Sequence, residues 1–264
     1  MAKARLEIFE TADQIGTRLA ERVLSEIERA RIAGRRYVLG CPTGRTPRPI
    51  YGAIAARLRA APQDFSHLVL AMMDEYLIGD REHVEYAPSD KPWSCHHFAR
   101  HEIVSRWNAA LPERFRMAKD GVWFPDPTNP GRYETRIAEV GGIDFFILAS
   151  GATDGHVAFN PPGSPRESRT RVIALSEQTR RDNLQTFPAF GSIDAVPRYG
   201  VSVGIATITE ARSAVMVLTG SSKRESLDRV LKAERYDPQW PATVIHEISS
   251  GEILADREAS AALG

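Results

Sequence analysis

The sequence predicts an α/β fold in which a Rossmann-like, doubly wound, mainly parallel sheet is flanked by helices. Short apolar runs typical of buried strands alternate along the chain with segments of helical periodicity, a pattern that favours right-handed βαβ units. Polar loops follow four of these runs, and the carboxyl edge of such a sheet is where ligands bind. A length of 264 residues, of which 42% are hydrophobic, favours one domain over residues 1–264.

The N-terminal part contains two strand and helix pairs. Leu6 and Ile8 alternate with charged residues as in a short strand, and apolar residues at every fourth position then predict a helix that lasts until Gly34. Residues 37–39 predict a second strand, residues 40–47 a loop rich in Gly and Pro, and helical spacing resumes afterwards. The apolar helical positions are Ile15, Leu19, Val23 and Ile27, followed by Ile50, Ile54 and Leu58.

Three more apolar runs predict buried strands: Leu68–Met73, which stops at Asp74 and Glu75; Ile143–Ala149; and Ala214–Leu218, which precedes a polar helix. Residues 80–132 are rich in Pro and Trp and predict loops and a helix. Residues 186–198 are equally irregular, and a mobile lid is one interpretation.

Composition excludes several classes of partner and location. Lys plus Arg and Asp plus Glu both number 34, so no global field attracts nucleic acid or an acidic membrane. Two cysteines, Cys41 and Cys95, are too few for a disulfide framework and fit a reducing compartment. The charged first ten residues do not form a signal peptide, and no apolar stretch is long enough to span a bilayer. We therefore expect a cytoplasmic protein without nucleic-acid or membrane partners.

The loop at residues 40–47 is a candidate anion site. It joins a strand to a helix, so backbone amides and the helix N-terminus can point at a phosphate, and it also offers hydroxyl groups. It lacks both the P-loop ending and the glycine spacing of a dinucleotide fingerprint. A simple tight turn is the alternative. The candidate binding residues are Pro42, Thr43, Gly44, Arg45 and Thr46.

Carboxylates and a histidine follow two other strands. Of Asp74 and Glu75, one could face a site as an acid–base group and the other form a structural pair. Asp154 lies two residues before His156, so it could orient the ring or tune its pKa. Asn160 could donate to a ligand oxygen. A solvated strand end and an exposed turn are the structural alternatives.

Lys223 could neutralise a phosphate at the N-terminus of the polar helix, or be solvated. Arg169 and Arg171 could form an anion clamp or a surface ladder.

His97 and His101, four residues apart next to Cys95 and His96, would share a helix face but lack the glutamate of a zinc protease motif. We therefore predict no metal site.

Together these segments resemble the glucosamine-6-phosphate deaminase family. Leu39–Pro47 matches its phosphate loop, residues 73–76 its Met-Asp-Glu-Tyr, and Asp154–Asn160 its Asp-Gly-His-Ile-Ala-Phe-Asn. The match continues to the C-terminal part through residues 168–171, 196–199, 203–207, 220–223 and 241–243. The resemblance covers nearly the whole chain, and the ordered set of motifs is specific for the superfamily that also contains 6-phosphogluconolactonases. It implies a fold of the NagB/RpiA/CoA transferase type.

The resemblance also implies roles for individual residues. Asp74 would be the base that moves a proton between C2 and C1 of the sugar, and His156, supported by Asp154, would help to open the ring. Thr43, Gly44, Thr46 and Lys223 would surround the phosphate, with Glu75, Gly155, Asn160 and Arg171 also in the binding region. The reaction isomerises an aldose amine and releases ammonia, which requires no metal or organic cofactor. The expected partner is a small phosphorylated sugar, and a homo-oligomer is conceivable.

Three departures separate this chain from the family pattern. Pro161 stands where deaminases have the glutamate that completes the Asp-His-Glu group, Arg45 replaces a glycine of the phosphate loop, and Gln185 replaces an expected phosphate-binding arginine near Arg180 and Arg181. Two of the family's allosteric anion residues are kept as Ser164 and Arg171, but a lysine is replaced by Ile173.

Two other functions stay open at this point. The segment Pro162-Gly163-Ser164 is compatible with a 6-phosphogluconolactonase, which would make the chain a hydrolase of a lactone. A non-catalytic sugar-phosphate sensor is the third interpretation. Asp74 and the deaminase-like residues around His156 favour deaminase or isomerase chemistry.

Overall fold

The computed structural model describes residues 3–80 and 83–261, and within them the chain forms two sheets surrounded by helices. The strands are β1 (Arg5–Phe9), β2 (Tyr37–Cys41), β3 (Leu68–Met72), β4 (Asp74–Gly79), β5 (Val84–Tyr86), β6 (Val122–Trp123), β7 (Phe145–Ala149), β8 (Arg171–Ala174), β9 (Tyr199–Ser202), β10 (Ala214–Leu218) and β11 (Gly251–Asp256).

The α-helices are α1 (Ala12–Ile32), α2 (Arg48–Ala60), α3 (Cys95–Phe98), α4 (Ser105–Ala109), α5 (Pro130–Glu139), α6 (Glu177–Thr186), α7 (Ile205–Thr209), α8 (Arg224–Lys232) and α9 (Arg257–Ser260). A π-helix at Ala99–Val104 links α3 to α4. Shorter 3-10 segments lie at Glu113–Phe115, Pro188–Phe190, Ile193–Ala195, Ser221–Lys223 and Pro241–Glu247.

The larger sheet has the order β1-β11-β10-β7-β2-β3-β6, and its paired strands run parallel. Helices cover both faces. On one face α1 and α2 pack with the helical stretch at residues 95–109, and on the other α5, α7 and α8 contribute to a second apolar cluster. The predicted α/β fold with a mainly parallel sheet is confirmed.

Helix α1 illustrates why the predicted helices form. Thr11 caps its first turn by accepting a hydrogen bond from the backbone N–H of Gln14, and Ile15, Leu19 and Val23 are fully buried against the sheet. Each buried aliphatic side chain stabilises the fold by about 1.5–3 kcal/mol relative to its exposure. The fourfold spacing of apolar residues therefore predicted both this helix and its buried face.

A second sheet of four antiparallel strands, in the order β5-β4-β9-β8, was not predicted. The predicted strand does end before Asp74, as β3, but the chain then passes through Met73 and enters β4 at Asp74, a second strand that the sequence did not predict. The cause is a non-local pairing, since Asp74 lies opposite Ser202 of β9. Met73 joins the two sheets because its carbonyl accepts a hydrogen bond from the Val203 N–H, 2.9 Å away.

Residues 80–132 contain more regular structure than the predicted loops and helix. The described part of this segment includes β5, β6, the start of α5 and the helical stretch from Cys95 to Ala109. Residues 81 and 82 lie outside the described ranges. Ser94 caps that stretch by accepting from the backbone N–H groups of His96 and His97. Across the described residues, no helix is both long and apolar enough to cross a membrane.

Candidate active site

A cavity of about 540 Å³ lies at the carboxyl ends of β2, β3, β7 and β10, within the size range of small-molecule sites. The predicted convergence of polar loops at this edge therefore occurs. Its polar lining comes from the loop after β2, from the start of β4, from the loop after β7 and from the segment after β10. The predicted site residues in this lining are Pro42, Thr43, Gly44, Arg45, Thr46, Asp74, His156 and Lys223.

Asp74 lines the cavity at the junction of the two sheets. Its side chain is almost entirely buried, with 6% exposure. Burial raises its pKa to about 7 and the charge of Glu75 adds to this, whereas a hydrogen bond from Cys95 and the charge of His156 act in the opposite direction. A carboxyl group with such a pKa can accept and return a proton near neutral pH.

His156 and Asp154 form a hydrogen-bonded pair. The distance from Nδ1 of His156 to Oδ1 of Asp154 is 2.7 Å, and the His156 backbone N–H also donates to this oxygen over 3.1 Å. Burial alone would raise the pKa of Asp154, but the hydrogen bond and charge of His156 outweigh it and hold that pKa below its usual value. The acid thus orients the ring, and Nε2 of His156 makes no hydrogen bond to any residue within the described ranges.

Two glycines make this pair possible. A Cβ atom on Gly151 would lie 2.1 Å from Oδ1 of Asp154 and 2.3 Å from Nδ1 of His156. Gly155 has a φ of +63°, and a Cβ there would lie 2.4 Å from the indole of Trp240. Gly155 therefore shapes the turn beneath Trp240 and, contrary to expectation, does not itself line the cavity.

The cation-rich side of the cavity combines the loop after β2 with the segment after β10. Gly44, with a φ of +92°, turns the loop before α2, and Arg45 lines the cavity beside it. Lys223 belongs to the 3-10 turn before α8, not to the helix itself, and its Nζ donates to the carbonyl oxygen of Ser150. Burial lowers the pKa of Lys223, and the charge of Asp182 partly offsets this.

Glu75 lies outside the cavity lining. Alternation along β4 directs it away from Asp74, and it is fully buried. Its carboxylate accepts hydrogen bonds from the Ser94 hydroxyl at 2.8 Å and from the Cys95 and His96 backbone N–H groups. The structure therefore assigns Glu75 the structural pairing and Asp74 the place in the cavity.

Asn160 and Arg171 are also not brought into the cavity. Asn160 is fully buried, and its Nδ2 group donates to the carbonyl oxygens of Val157 and Val203, so it is not free to donate to a ligand. Arg171 begins β8 in the second sheet and donates to the Arg169 carbonyl oxygen, while Arg169 itself pairs with Glu210. The amide holds the turn after His156, and the two arginines do not form an anion clamp at this site.

Asp182 and Cys95 are among the residues near the cavity that the sequence patterns missed. Asp182, on α6, lines it, and its Oδ2 atom is buried without a hydrogen-bond partner. Asp154, His156 and Asp182 place potential metal-ligand atoms within 4.8 Å of one another. Cys95 contacts Asp74 from the start of α3, with 3.4 Å between Sγ and Oδ1. A polar residue on a polar helix and a lone cysteine give no local signal of either position.

Some residues at and before the predicted lid line the cavity, and others do not. Thr186 and Phe187, at the start of the predicted lid, line the cavity, as does Gln185. Arg180 instead donates to the carbonyl oxygens of Ile193 and Val196, and Arg181 pairs with Glu177.

His97 and His101 do share a helix face, with ring centroids 4.2 Å apart.

The fold and the side chains at the edge of its sheet are those of an α/β enzyme with a candidate acid–base site. The chain belongs to the family of glucosamine-6-phosphate isomerases and 6-phosphogluconolactonases, whose profile matches residues 10–254. This confirms the family expected from the sequence.

Individual relatives place the chain nearer to the deaminases of that family. A glucosamine-6-phosphate deaminase of Rhodopirellula baltica is 34% identical over 258 residues, which cover 98% of this chain and 95% of the relative. One of Beutenbergia cavernae is 34% identical over 232 residues, or 86% and 81% of the two chains.

Solved structures agree in fold. A monomeric glucosamine-6-phosphate deaminase, described as a missing link of the NagB superfamily, superimposes with a TM-score of 0.81 at 27% identity, covering 97% of this chain and 99% of its own. The 6-phosphogluconolactonase of Trypanosoma cruzi has a TM-score of 0.70 at 16% identity, covering 99% and 97%, and shares the fold alone. The expected deaminase or isomerase-like enzyme is thereby supported.

Proposed function

We propose that this chain isomerises and deaminates an amino-sugar phosphate, with glucosamine 6-phosphate as the first candidate. The observation that carries the proposal is the buried carboxyl group of Asp74, which lines the same cavity as His156 and has a pKa raised to about 7. The full-length similarity to proteins named glucosamine-6-phosphate deaminase supports this substrate.

The proposed reaction divides the proton transfers between two groups. His156, oriented by Asp154, moves a proton between the ring oxygen and the C1 hydroxyl as the sugar ring opens. Asp74 then removes the proton from C2 of the open aldose and returns it to C1, while the C1 carbonyl oxygen gains a proton and the amine loses one, so that the C2 amine becomes an imine and C1 becomes an alcohol. Water adds to C2 and ammonia leaves, so that a ketose phosphate is produced. These steps balance without a metal ion or an organic cofactor.

The phosphate is proposed to lie between the loop at residues 42–46 and Lys223. The loop offers hydroxyl groups and backbone amides before the start of α2, and the part-buried side chain of Lys223 lines the same cavity. Arg45 adds a second cation to this side of the cavity. This arrangement compensates for Gln185, which stands where the family pattern has an arginine.

The deciding experiment follows both products and proton exchange in deuterium oxide. Purified protein is incubated with glucosamine 6-phosphate, and ammonia release and deuterium incorporation at C1 of the ketose are recorded by a coupled assay and by NMR. Asp74→Asn should abolish both signals, while Asp90→Asn, at an exposed position, should leave both unchanged. Absence of exchange and of ammonia with every 6-phosphosugar tested would refute the proposal.

A lactone hydrolase is the second candidate, and Pro161 is the observation that favours it. Proline cannot supply the carboxylate that the deaminase pattern has at this position, so ring opening would rest on His156 and Asp154. Hydrolysis of 6-phosphogluconolactone alone, retained in Asp74→Asn, would replace the deaminase proposal. Thermal stabilisation by sugar phosphates without turnover of any of them would instead identify a sensor.

We also keep three broader predictions as proposals. Residues 1–264 are proposed to form one domain, which predicts a single unfolding transition. A cytoplasmic location is proposed from the two unpaired cysteines. A homo-oligomer is proposed, and light scattering would measure the molecular mass in solution. A monomer would match the description of one solved relative.

A further inference from the structure

The thiol of Cys95 is the hydrogen-bond donor to the proposed catalytic base. Its Sγ atom lies 3.4 Å from Oδ1 of Asp74, and both side chains are buried, at 1% and 6% exposure. Among the residues that the structure describes, no other group donates a hydrogen bond to this carboxylate. A thiol is a weak donor, but a buried and ionised acceptor strengthens such a bond.

The same sulfur atom contacts the proposed phosphate loop. The distance from Sγ of Cys95 to the Thr43 hydroxyl oxygen is 3.7 Å. When the thiol proton points to Asp74, the sulfur is left to accept from the Thr43 hydroxyl. Cys95 thus lies between Asp74 and a residue that lines the cation-rich side of the cavity.

The position of Cys95 is fixed by Glu75. Cys95 is the first residue of α3, and its backbone N–H donates to Oε1 of Glu75 at 3.0 Å, while the Ser94 hydroxyl donates to Oε2 at 2.8 Å. Since Glu75 directly follows Asp74 in β4, the start of the helix and the start of the strand are tied together. The thiol therefore has a defined geometry relative to the Asp74 carboxylate.

We propose that Cys95 is a positioning residue, which orients the Asp74 carboxylate in the cavity, favours its ionised form and couples it to Thr43. The proposal rests on the proposed role of Asp74 as the base. It also gives Glu75 a function, since the hydrogen bonds that Glu75 accepts from residues 94–96 hold the thiol in place.

The groups around Asp74 determine the expected effect of removing the thiol. Burial is the largest influence and raises the pKa of Asp74, and the charge of Glu75 raises it further. The hydrogen bond from Cys95 lowers this pKa, as does the charge of His156. Buried Tyr76 is the other titratable neighbour, and its own pKa is raised well above the usual value, so it stays neutral. Loss of the thiol should therefore raise the pKa of Asp74.

The test compares pH profiles of kcat in three variants. In Cys95→Ala the acid limb should move upward by about 0.5–1 pH unit, since one hydrogen bond to a charged group is lost. Cys95→Ser keeps a donor, and its acid limb should stay at or below that of the wild type. Cys41→Ala is the matched control, because Cys41 is equally buried but its thiol donates to the Leu39 carbonyl oxygen.

A purely structural role for Cys95 would lower kcat or stability without moving the acid limb. An unmoved limb in Cys95→Ala, or an equal upward shift in Cys95→Ser, would overturn the proposal. If Cys95→Ala does not fold, Cys95→Val provides a second side chain without a donor.

Failure of the proposed function would be visible separately, as absence of turnover in the wild type. In that case the Asp74 carboxyl is titrated directly by carbon-13 NMR, with Asp74→Asn used to assign its signal. The same upward shift is expected for Cys95→Ala, and an unchanged titration would refute the role of the thiol whatever reaction the protein catalyses.

Discussion

Replacement of Asp74 by asparagine should stabilise the folded protein at neutral and alkaline pH while removing its activity. The pKa of Asp74 is raised from 3.8 to about 7, chiefly by burial. A carboxyl group whose pKa is higher in the folded state binds its proton more tightly there than in the unfolded chain. The free energy of unfolding therefore falls as the pH rises from about 4 to about 7, and ionised Asp74 destabilises the fold above that range.

The size of this effect follows from the two pKa values. A shift from 3.8 to about 7 corresponds to about 4 kcal/mol of destabilisation when the group is fully ionised. Between about pH 5 and about pH 8.5, the wild type should lose about 3 kcal/mol through this group alone. Asparagine has nearly the same shape and no charge, so Asp74→Asn should lack this loss.

The assay is urea unfolding at a series of pH values for the wild type, Asp74→Asn and Asp90→Asn. The exposed Asp90 carboxyl serves as the control, and its replacement should leave the pH dependence of stability unchanged. The difference in unfolding free energy between Asp74→Asn and the wild type should grow with pH and level off above about pH 8. A difference that is constant over this range would refute the reasoning that burial raises the pKa of Asp74.

Two further predictions address the other sides of the cavity. Lys223→Ala should raise KM for a phosphorylated substrate by about tenfold or more, since it removes a charged hydrogen-bond donor, but should affect the dephosphorylated sugar far less. Equal effects on both sugars would count against the phosphate assignment. Gly151→Ala should lower kcat more than it raises KM, because the new Cβ would lie 2.1 Å from Oδ1 of Asp154 and displace it from His156. A wild-type circular dichroism spectrum with unchanged kcat would contradict the requirement for this geometry.

The parallel sheet could be predicted from the sequence because each of its main strands carries its own signal. Residues 68–72 and 145–149 are continuous apolar runs, and the helices between such runs show a clear apolar period. The antiparallel sheet could not be predicted in the same way. Residues 74–77 pair with residues 199–202, and neither segment carries a sequence signal of its distant partner. Because its pairing is non-local, strand β4, which begins with Asp74, could not be predicted from the sequence.

The candidate site was predictable in part, for a different reason. Polar residues after buried strands must meet at one edge of a parallel sheet, which brings Thr43, Asp74, His156 and Lys223 to one cavity. Residue type alone does not reveal whether a polar side chain is used by the fold. The Nδ2 group of Asn160 donates to two backbone carbonyl groups, and one of them belongs to Val203, 43 positions away in sequence.

Strand β4 places two adjacent carboxylates, those of Asp74 and Glu75, in different environments. Successive side chains of a strand point to opposite faces, so β4 directs Asp74 to the cavity and Glu75 to the start of α3. From residues within the described ranges, Glu75 accepts five hydrogen bonds, among them those from the Tyr76 backbone N–H and from Nδ1 of His96, whereas Asp74 accepts one, from Cys95. A buried carboxyl group with a single weak donor keeps its proton to higher pH, and the pKa of Asp74 is raised accordingly. The contrast in hydrogen bonding, more than residue type, therefore makes Asp74 the better candidate for proton transfer and gives its single donor, Cys95, an influence on that transfer.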